Sequence, residues 1–396
     1  MNNNNDNSKK TIKYIGYYDK LDDGNIKRVF SLAATKKMDY ICDVLNKLGY
    51  QVDIISCAHI KGKEEPFENC QKKQINPNVT LTLPPSMGAT NKLYRILRVI
   101  MAKVWLFFHL LRNCSKGEKV LVYHHYEHAI PILLAHLIKR FEIVLEIEEK
   151  YSMVWSLTAY QRWKENLILN KGREKSLVVS ELLAEKLNIS NPIVSYGNYK
   201  PYDGEITNKG QNERTILIYT GSIDRVKGSA FIAISAMKYL HSEYDLLLSG
   251  PITDKDRVSF ENEISELNKK SGRNACRYLG ILDEKEYEKL LLSADIALNP
   301  QREGDFDEYL FPSKILTYMA YDLPVVSTKG KSIVTSSVSD LIYFAEDYSA
   351  ESVAKAIKQV NFSNVKSSRK RMKNLGKEFQ KQLYKTFLKS NEIKTK

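Results

Sequence analysis

The sequence has no closely spaced pair of cysteines. Its five cysteines are Cys42, Cys57, Cys70, Cys114 and Cys276. An odd number of scattered cysteines argues against a disulfide framework and predicts reduced thiols in a cytosolic protein. A zinc site is not expected, because Cys57 and His59 have no second pair of ligands to complete a tetrahedron.

The sequence also lacks a leader-like apolar segment and an uninterrupted membrane span. The first ten residues, MNNNNDNSKK, have no apolar core, so we expect a cytoplasmic chain. Residues 93–111 are rich in apolar side chains, but Arg95, Arg98 and Lys103 interrupt them. This stretch should not cross a bilayer.

Acidic residues are outnumbered, 47 against 60 Lys and Arg, which gives a formal net charge of +13. An excess of this sign favours an anionic partner, which could be nucleic acid, an anionic membrane surface or a phosphorylated substrate. Nucleic acid is not expected, because no module that reads DNA or RNA is recognisable. The basic run at residues 367–377 follows helical spacing and predicts a solvated helix face rather than a binding patch.

The length of 396 residues and the apolar fraction of 43% suit two globular domains. Apolar strands and helices alternate from Thr11 and again from Thr215, and a polar linker at residues 199–213 separates the two series. Such alternation predicts parallel sheets covered by helices, with ligands beyond the C-terminal ends of the strands. We expect an N-terminal domain over 1–200, a C-terminal domain over 201–375 and a basic helix or tail over 376–396.

A glycine turn follows the first strand of the second series. In residues 219–228, YTGSIDRVKG, Gly221 allows close approach of the backbone to a ligand, and Lys227 adds a cation before a helix. This arrangement predicts a cradle for a diphosphate. A helix start with an exposed lysine is an equally good interpretation of this motif alone.

A second motif begins with the strand end at residues 295–300 and continues through an acidic loop to residues 311–320, FPSKILTYMA. Ser313 and Lys314 fall at the predicted start of a helix, where free backbone N–H groups face an anion. The motif therefore predicts a second contribution to the same anion site.

These two motifs, in this order and separated by residues 246–250 and 278–282, resemble the retaining nucleotide-sugar glycosyltransferases of family 4. The helix start at residues 311–314 resembles members that assemble bacterial capsule, exopolysaccharide or O-antigen. The resemblance implies an α/β fold of the GT-B type, with two Rossmann-like domains whose parallel sheets face each other across a cleft. It implies transfer of a sugar from a nucleoside-diphosphate sugar to a lipid-linked or other glycan acceptor, with no metal or other cofactor.

By this resemblance, several residues hold the donor. Lys227 matches the family's basic residue on the donor pyrophosphate, and we expect it to be catalytic. The turn that contains Gly280 and Leu282 matches the loop that contacts the base. Lys314 lies at the start of the donor-site helix, and Gly24 fits the glycine loop under the donor phosphates.

The chain departs from the family pattern at three positions. Ser222 stands where many members have an arginine, so Arg225 could supply the missing cation. Thr317 replaces the second glutamate of the paired carboxylates, leaving a hydroxyl for the ribose, and Tyr309 replaces the first. These departures also allow a catalytically silent member that binds a sugar nucleotide or a glycan.

The acidic loop before the helix at 314 is longer than usual in the family. It contains Glu303 and Glu308, and either acid could take over the missing role. Glu303 is our catalytic candidate. The alternative, equally favoured, is that both are solvated loop residues.

Two strand ends of the first half carry polar residues. Residues 121–128 end a strand with three histidines, and the family places a histidine near the transferred sugar, for which we select His125. The next strand ends with carboxylates at 146, 148 and 149 that should meet the cleft. Glu148 or Glu149 could orient an acceptor hydroxyl.

The helix at residues 93–111 has an apolar face and a set of cations off that face. Such a helix can lie peripherally on an anionic membrane, at the inner face of the cell membrane. We favour the alternative, in which the apolar face packs on the protein's own sheet and the cations are in water. The apolar face consists of Leu93, Ile96, Ile100, Val104, Phe107 and Leu111.

Overall fold

A computed structural model describes residues 10–20, 27–30, 32–206, 213–226, 228–304, 306–362 and 368–388. The chain divides into two compact units. The first comprises Met1–Val179, Leu183–Ser195 and Glu378–Lys396, and the second comprises Ser180–Leu182 and Tyr196–Lys377. The boundary therefore lies at Ser195, and the end of the chain belongs with the first unit.

The first unit contains an eight-stranded sheet in the order β3-β4-β2-β1-β5-β6-β7-β8. Its strands are β1 (Thr11–Gly16), β2 (Gln51–Ser56), β3 (Gln71–Asn76), β4 (Val79–Leu83), β5 (Lys119–Tyr123), β6 (Glu142–Ile147), β7 (Lys175–Val178) and β8 (Asn191–Val194). All neighbouring strands are parallel except β3 and β4, which form an antiparallel hairpin. Its helices are α1 (Leu32–Lys47), α2 (Lys92–Asn113), α3 (Ala129–Lys139), α4 (Tyr151–Val154), α5 (Ala159–Leu169) and α6 (Glu181–Lys186).

The second unit contains a six-stranded parallel sheet in the order β11-β10-β9-β12-β13-β14. Its strands are β9 (Thr215–Thr220), β10 (Tyr244–Ser249), β11 (Cys276–Tyr278), β12 (Ile296–Asn299), β13 (Val325–Ser327) and β14 (Ile342–Phe344). The helices that follow in the chain are α7 (Ser229–Ala236), α8 (Asp254–Ser271), α9 (Glu284–Ser293), α10 (Phe306–Tyr309), α11 (Lys314–Ala320), α12 (Lys331–Val334), α13 (Ala350–Lys358) and α14 (Ser368–Phe387). The predicted alternation in both halves is thus confirmed.

The helices of the first unit are divided between the two faces of its sheet. Connections between parallel strands are right-handed, so the direction of travel across the sheet decides the face. The connections through α2, α3 and α5 all run from the β4 side towards β7, whereas α1 connects β1 to β2 in the opposite direction. Helices α2, α3 and α5 therefore share one face, and α1 covers the other.

Helix α14 contributes its last turns to the α1 side of the first unit. The ring of Phe379 stacks on Tyr40 with centroids 5.8 Å apart, and the Lys119 ammonium donates a hydrogen bond to the Thr386 carbonyl at 2.6 Å. The basic residues Lys370, Lys373 and Lys377 are exposed. The solvated helix face predicted for the basic run is therefore confirmed for these lysines, but Arg369 and Arg371 are half-buried and pair with Asp322 and Asp340. The helix begins at Ser368, before the predicted tail.

The preferred interpretation of α2 was wrong. Its apolar residues Leu93, Ile96, Ile100 and Val104 are exposed, while Arg98 is buried. The Arg98 guanidinium is stabilised there because it donates a hydrogen bond to the Ile60 carbonyl at 2.7 Å. Helix α2 thus packs on the sheet with the side opposite to the predicted one.

Helix α2 also bears on whether the chain can span a membrane. Among the described residues, no helix combines enough length with enough hydropathy to cross a bilayer. The expectation that residues 93–111 do not form a membrane span agrees with this finding.

Candidate functional site

Three strands of the second unit end in glycine turns that lie against one another. Gly221 follows β9, Gly250 follows β10 and Gly280 follows β11, and all three have positive φ, at 136°, 142° and 73°. The Gly221 N–H donates to the Ser249 carbonyl and the Gly250 N–H donates to the Gly280 carbonyl, both at 2.9 Å. A Cβ on Gly250 would lie 2.0 Å from the Gly221 carbonyl oxygen, so only glycine permits this approach. Leu282, half-buried, follows in the third turn.

Lys314 lies directly against the first of these turns. A Cβ on Gly221 would be 2.9 Å from the Lys314 Nζ. The ammonium is 4.1 Å from the centre of the Tyr219 ring, a cation–π distance, and the Tyr219 hydroxyl donates to the Ser222 carbonyl at 2.9 Å. The two sequence motifs are therefore brought together at the C-terminal end of β9, with a cation beside exposed backbone.

The buried side chain of Tyr318 forms hydrogen bonds with Thr220, the residue directly before the Gly221 turn. The Tyr318 hydroxyl accepts a hydrogen bond from the Thr220 N–H at 2.9 Å, and the Thr220 hydroxyl lies 3.1 Å from the hydroxyls of both Tyr318 and Tyr287. Burial raises the pKa of Tyr318 well above its ordinary value, which keeps it neutral. The sequence analysis missed Tyr318, because a tyrosine in an apolar helix is indistinguishable from a core residue. Thr317, its neighbour on α11, is half-buried.

The cations around the glycine turn differ from the expected set. The Arg225 guanidinium pairs with Glu263 at 2.8 Å and donates to the Ser259 hydroxyl at 3.2 Å, so its charge is already balanced. Arg302 was missed by the sequence analysis; a Cβ on Gly228 would be 2.6 Å from its Nε. Arg302 thus lies at Gly228, directly before α7, and its irregular loop gave no periodicity that could have placed it.

Two predicted site residues are not among the described residues, and a third is exposed. Gly24 and Lys227 lie outside the described residues. Glu303 is exposed in the loop before α10. Glu308, the other acid of that loop, pairs with the exposed Lys331 at 2.8 Å, and the Tyr309 carbonyl accepts a hydrogen bond from the Ser180 hydroxyl at 2.5 Å.

In the first unit, His125 lies in an aromatic cluster at the end of β5. Its ring centre is 4.8 Å from that of Tyr17 and 5.0 Å from those of Tyr126 and Tyr151. Burial lowers its pKa to about 4, so the ring is neutral near pH 7. Because Nδ1 accepts a hydrogen bond from the Glu127 N–H at 3.2 Å, the ring proton belongs on Nε2, and His125 is a hydrogen-bond donor rather than a base.

The two neighbouring histidines are more deeply buried than His125. Burial lowers the pKa of His124 to about 3, and its ring stacks on Tyr151 with centroids 5.4 Å apart. The Nε2 of His128 is 2.8 Å from the Tyr17 hydroxyl, and burial holds its pKa well below the ordinary range. Of the three, His125 is the most accessible to a ligand, and its role near the sugar stays a prediction.

The expectation that Glu146 meets the cleft was wrong. Its carboxyl group is fully buried and accepts a hydrogen bond from the Tyr14 hydroxyl. Burial raises the pKa of Glu146 to about 8, which favours the neutral carboxyl group. The reason is geometric, because Glu146 is on the interior strand β6 and its side chain reaches Tyr14 of β1 across the intervening strand β5.

Glu148 and Glu149, the predicted acceptor-binding residues, follow β6 and are half-buried. Glu148 forms an ion pair with Lys37, a buried lysine of α1. The Lys37 ammonium also donates to the Ser195 carbonyl at 2.8 Å. A lysine with two oxygen partners holds the Glu148 carboxylate in a fixed position, which is what orientation of a substrate hydroxyl requires.

No metal centre is found within the described ranges, where no three His, Cys, Asp or Glu side chains form a set that could hold an ion. The five cysteines are free thiols, and all except Cys70 are buried.

Comparisons with known proteins give the fold and a family for the second unit. Residues 205–379 match the family model described as Glycosyl transferases group 1. The search of curated protein sequences gives no match.

Solved structures match nearly the whole chain at low identity. The apo structure of OtsA is 12% identical, with a TM-score of 0.65 over 96% of this chain and 99% of that one. Sucrose-phosphate synthase from Thermosynechococcus elongatus is 14% identical, with a TM-score of 0.66 over 96% and 98%. The Anabaena protein HepE in complex with UDP and glucose is 13% identical, with a TM-score of 0.61 over 95% and 99%.

These likenesses confirm the predicted α/β fold of the GT-B type with two Rossmann-like domains. The family match over residues 205–379 confirms the predicted enzyme class, a glycosyltransferase. The structural likenesses do not single out family 4, since sucrose- and trehalose-phosphate synthases are among the matching structures.

Proposed function

We propose that this glycosyltransferase moves a sugar from a nucleoside-diphosphate donor to a glycan, with retention of the anomeric configuration. The observation that carries the proposal is the position of the Lys314 ammonium against the Gly221 turn, where three glycine turns meet. Backbone close to a lysine ammonium suits a diphosphate, whose oxygens need both hydrogen-bond donors and positive charge.

The reaction breaks the bond between the sugar's anomeric carbon and the donor diphosphate and forms a bond from that carbon to an acceptor hydroxyl oxygen. The hydroxyl proton leaves with the diphosphate. Negative charge therefore accumulates on the diphosphate, and Lys314 and Lys227 stabilise it in the transition state. In our proposal Gly280 and Leu282 contact the base, and Thr317 contributes a hydroxyl to the ribose.

Uridine nucleotides are the first donors to test. One matching structure, a trehalose-6-phosphate enzyme from E. coli, is described as bound with UDP-2-fluoro glucose, and HepE is described in complex with UDP and glucose. Both have the fold of this chain, so we carry the nucleotide over as a proposal.

The acceptor side is proposed to lie in the first unit. The Nε2–H of His125 would donate to a hydroxyl of the transferred sugar, and the carboxylate of Glu148, held by Lys37, would orient the acceptor hydroxyl together with Glu149. The resemblance of residues 311–314 to family 4 enzymes of surface polysaccharide synthesis supports a lipid-linked glycan acceptor at the inner face of the cell membrane.

Thermal unfolding with a panel of nucleoside diphosphates and nucleotide sugars tests the donor site. A ligand at about 100 times its Kd should stabilise the protein by about 2.7 kcal/mol. Lys314→Met keeps the stem that packs near Tyr219 and removes the charge, so it should lose most of this shift, as should Lys227→Ala. Lys355→Met is the control, because it removes an exposed lysine of α13 that pairs with Glu351. This variant should keep the full thermal shift with nucleotide. A wild-type protein that no nucleotide stabilises, or an unchanged shift in Lys314→Met, would contradict the proposal.

A second candidate function is a catalytically silent subunit that binds the sugar nucleotide. It is favoured by Tyr309 and Thr317 at the positions of the family's glutamates and by the pairing of Arg225 with Glu263. Release of nucleoside diphosphate from each donor, measured with and without acceptor extract, separates the two. Binding without any transfer or hydrolysis would favour the silent subunit.

A further inference from the structure

Two adjacent helices of the first unit expose a large set of apolar side chains. Their relative exposure reaches 62% for Leu93 and 66% for Leu137. We call this set the α2–α3 apolar surface; it consists of Leu93, Ile96, Leu97, Ile100, Val104 and Phe108 of α2 and Leu134, Leu137 and Ile138 of α3. Isolated exposed apolar residues are ordinary, but a contiguous patch of this kind marks an interaction site.

The two groups of side chains point away from the same face of the sheet. Helices α2 and α3 pack against each other, and α3 packs against α5. All three cover one face of the sheet, so their outward sides are turned the same way. The residues of α2 that face inward are Leu106, Leu110 and Arg98, and the exposed stripe lies opposite to them. This stripe is therefore the outer surface of a helical layer, with no element of the described chain over it.

The charged residues of α2 and α3 have one sign. Helices α2 and α3 contain no acidic residue, and their cations are Lys92, Arg95, Arg98, Lys103 and Arg112 on α2 and Lys139 on α3. Only Arg98 of these is buried, and Lys103 pairs with Glu127 at 3.2 Å. Lys92 and Arg112, which flank the stripe, are exposed and available to an anionic partner.

Aromatic side chains lie on the third helix of the layer. Tyr160 and Trp163 of α5 are exposed by 61% and 50%, and their rings stack with centroids 5.7 Å apart. Exposed Trp and Tyr next to aliphatic and basic residues form the combination found where proteins meet the headgroup region of a bilayer.

We propose that the α2–α3 apolar surface lies on an anionic lipid bilayer. With 22 residues, α2 is about 33 Å long and would lie in the plane of the interface, with its aliphatic side chains at the acyl boundary and its cations among lipid phosphates. The inference deepens the proposed function, because it keeps the first unit, with the proposed acceptor residues, at the surface that holds a lipid-linked glycan.

Co-sedimentation of the full chain with lipid vesicles tests this surface. Vesicles of phosphatidylcholine alone are compared with vesicles that contain roughly 30% phosphatidylglycerol, at about 0.1 M salt. The double variant Ile100→Gln/Leu137→Gln removes one apolar residue from each helix. Binding of the wild type to the anionic vesicles is expected, and the variant should bind them about tenfold more weakly or worse.

A matched control carries the same chemical change elsewhere. Val258→Gln/Tyr239→Gln replaces two exposed residues of the second unit and should bind vesicles like the wild type. Lys92→Gln/Arg112→Gln should weaken binding to the anionic vesicles alone, because these side chains, which flank the stripe, supply charge rather than apolar area. Equal binding of wild type and Ile100→Gln/Leu137→Gln would overturn the proposal. So would a wild-type dimer in solution that this variant converts to monomer, since a second copy would then cover the surface.

Nucleotide binding, measured on the same variants, separates this inference from the proposed function. The surface is built by the first unit and the glycine turns by the second, so Ile100→Gln/Leu137→Gln should keep the thermal shift with nucleotide. Loss of vesicle binding in the variant with an unchanged nucleotide shift supports the surface. A wild type that binds nucleotide but no vesicle overturns the surface and leaves the proposed donor site standing.

Discussion

Replacement of Gly250 by alanine tests whether the contact between the glycine turns stabilises the C-terminal ends of the strands in the second unit, where the ligand is proposed to bind. The new Cβ would lie 2.0 Å from the Gly221 carbonyl oxygen, so the two turns must move apart by about 1.5 Å to reach an ordinary contact. The φ of +142° adds a backbone cost of about 1–3 kcal/mol for any residue other than glycine. Weakening of the hydrogen bond from Gly221 to Ser249 adds about 1 kcal/mol.

The expected total is about 2–4 kcal/mol, which for a unit of this size lowers Tm by about 5–15 °C. Gly272→Ala is the matched control, because Gly272 also has positive φ, +67°, but no atom lies within 4 Å of its added Cβ. It should cost only about 1 kcal/mol. Thermal unfolding followed by circular dichroism gives the stability, and the same experiment with nucleotide gives the binding. The reasoning is refuted if Gly250→Ala costs no more than Gly272→Ala and keeps the full nucleotide shift.

Three further substitutions test other contacts by chemical denaturation. Tyr318→Phe leaves the buried Thr220 N–H at the end of β9 without its acceptor and should lower the free energy of unfolding by about 1–3 kcal/mol. Tyr384→Phe, at an exposed position, should cost almost nothing, and equal losses would contradict the role of the buried hydroxyl. Lys37→Met should lower the free energy of unfolding by about 3 kcal/mol, because it leaves the Glu148 carboxylate partly buried and unpaired. The double variant Lys37→Met/Glu148→Gln should recover part of that loss, and a double variant as unstable as the single one would argue against the ion pair. The pKa of His124 is lowered to about 3, so the unfolded chain takes up this proton first as the pH falls below about 6.5, and stability should decrease by up to about 1.4 kcal/mol per pH unit from this group. His124→Asn should reduce the slope between about pH 6.5 and 4 by that amount and leave the contributions of His125 and His128, and an unchanged slope would refute the assignment.

The sequence contains enough information for the sheets and for the ends of the strands. Apolar strands that alternate with helices produce parallel sheets, and the side of the sheet that binds ligands follows from the direction of the strands. For this reason Gly221, Gly280 and Lys314 could be assigned to one site before any contact was known. Their mutual contacts depend on how the three turns approach one another, which spacing along the chain does not specify.

Contacts between distant residues explain what the sequence could not provide. Periodicity identifies the apolar stripe of α2 but not which side meets the sheet, and the buried side was decided by Arg98, whose acceptor is the carbonyl of Ile60. Arg225 was expected to be available to the donor, but it forms an ion pair with Glu263 of α8, which is distant from it in the sequence. The strand β6 is buried on both faces, so no alternation in its sequence indicated that Glu146 faces inward.

The contribution of α14 to the first unit has a consequence for synthesis on the ribosome. Domains usually fold as they emerge, beginning with the N-terminal one. Here the rings of Tyr40 and Tyr50 receive their partners, Phe379 and Phe387, only when the last helix has been made. The first unit is therefore started first and completed last, and its uncovered α1 side is available to chaperones throughout the translation of the second unit.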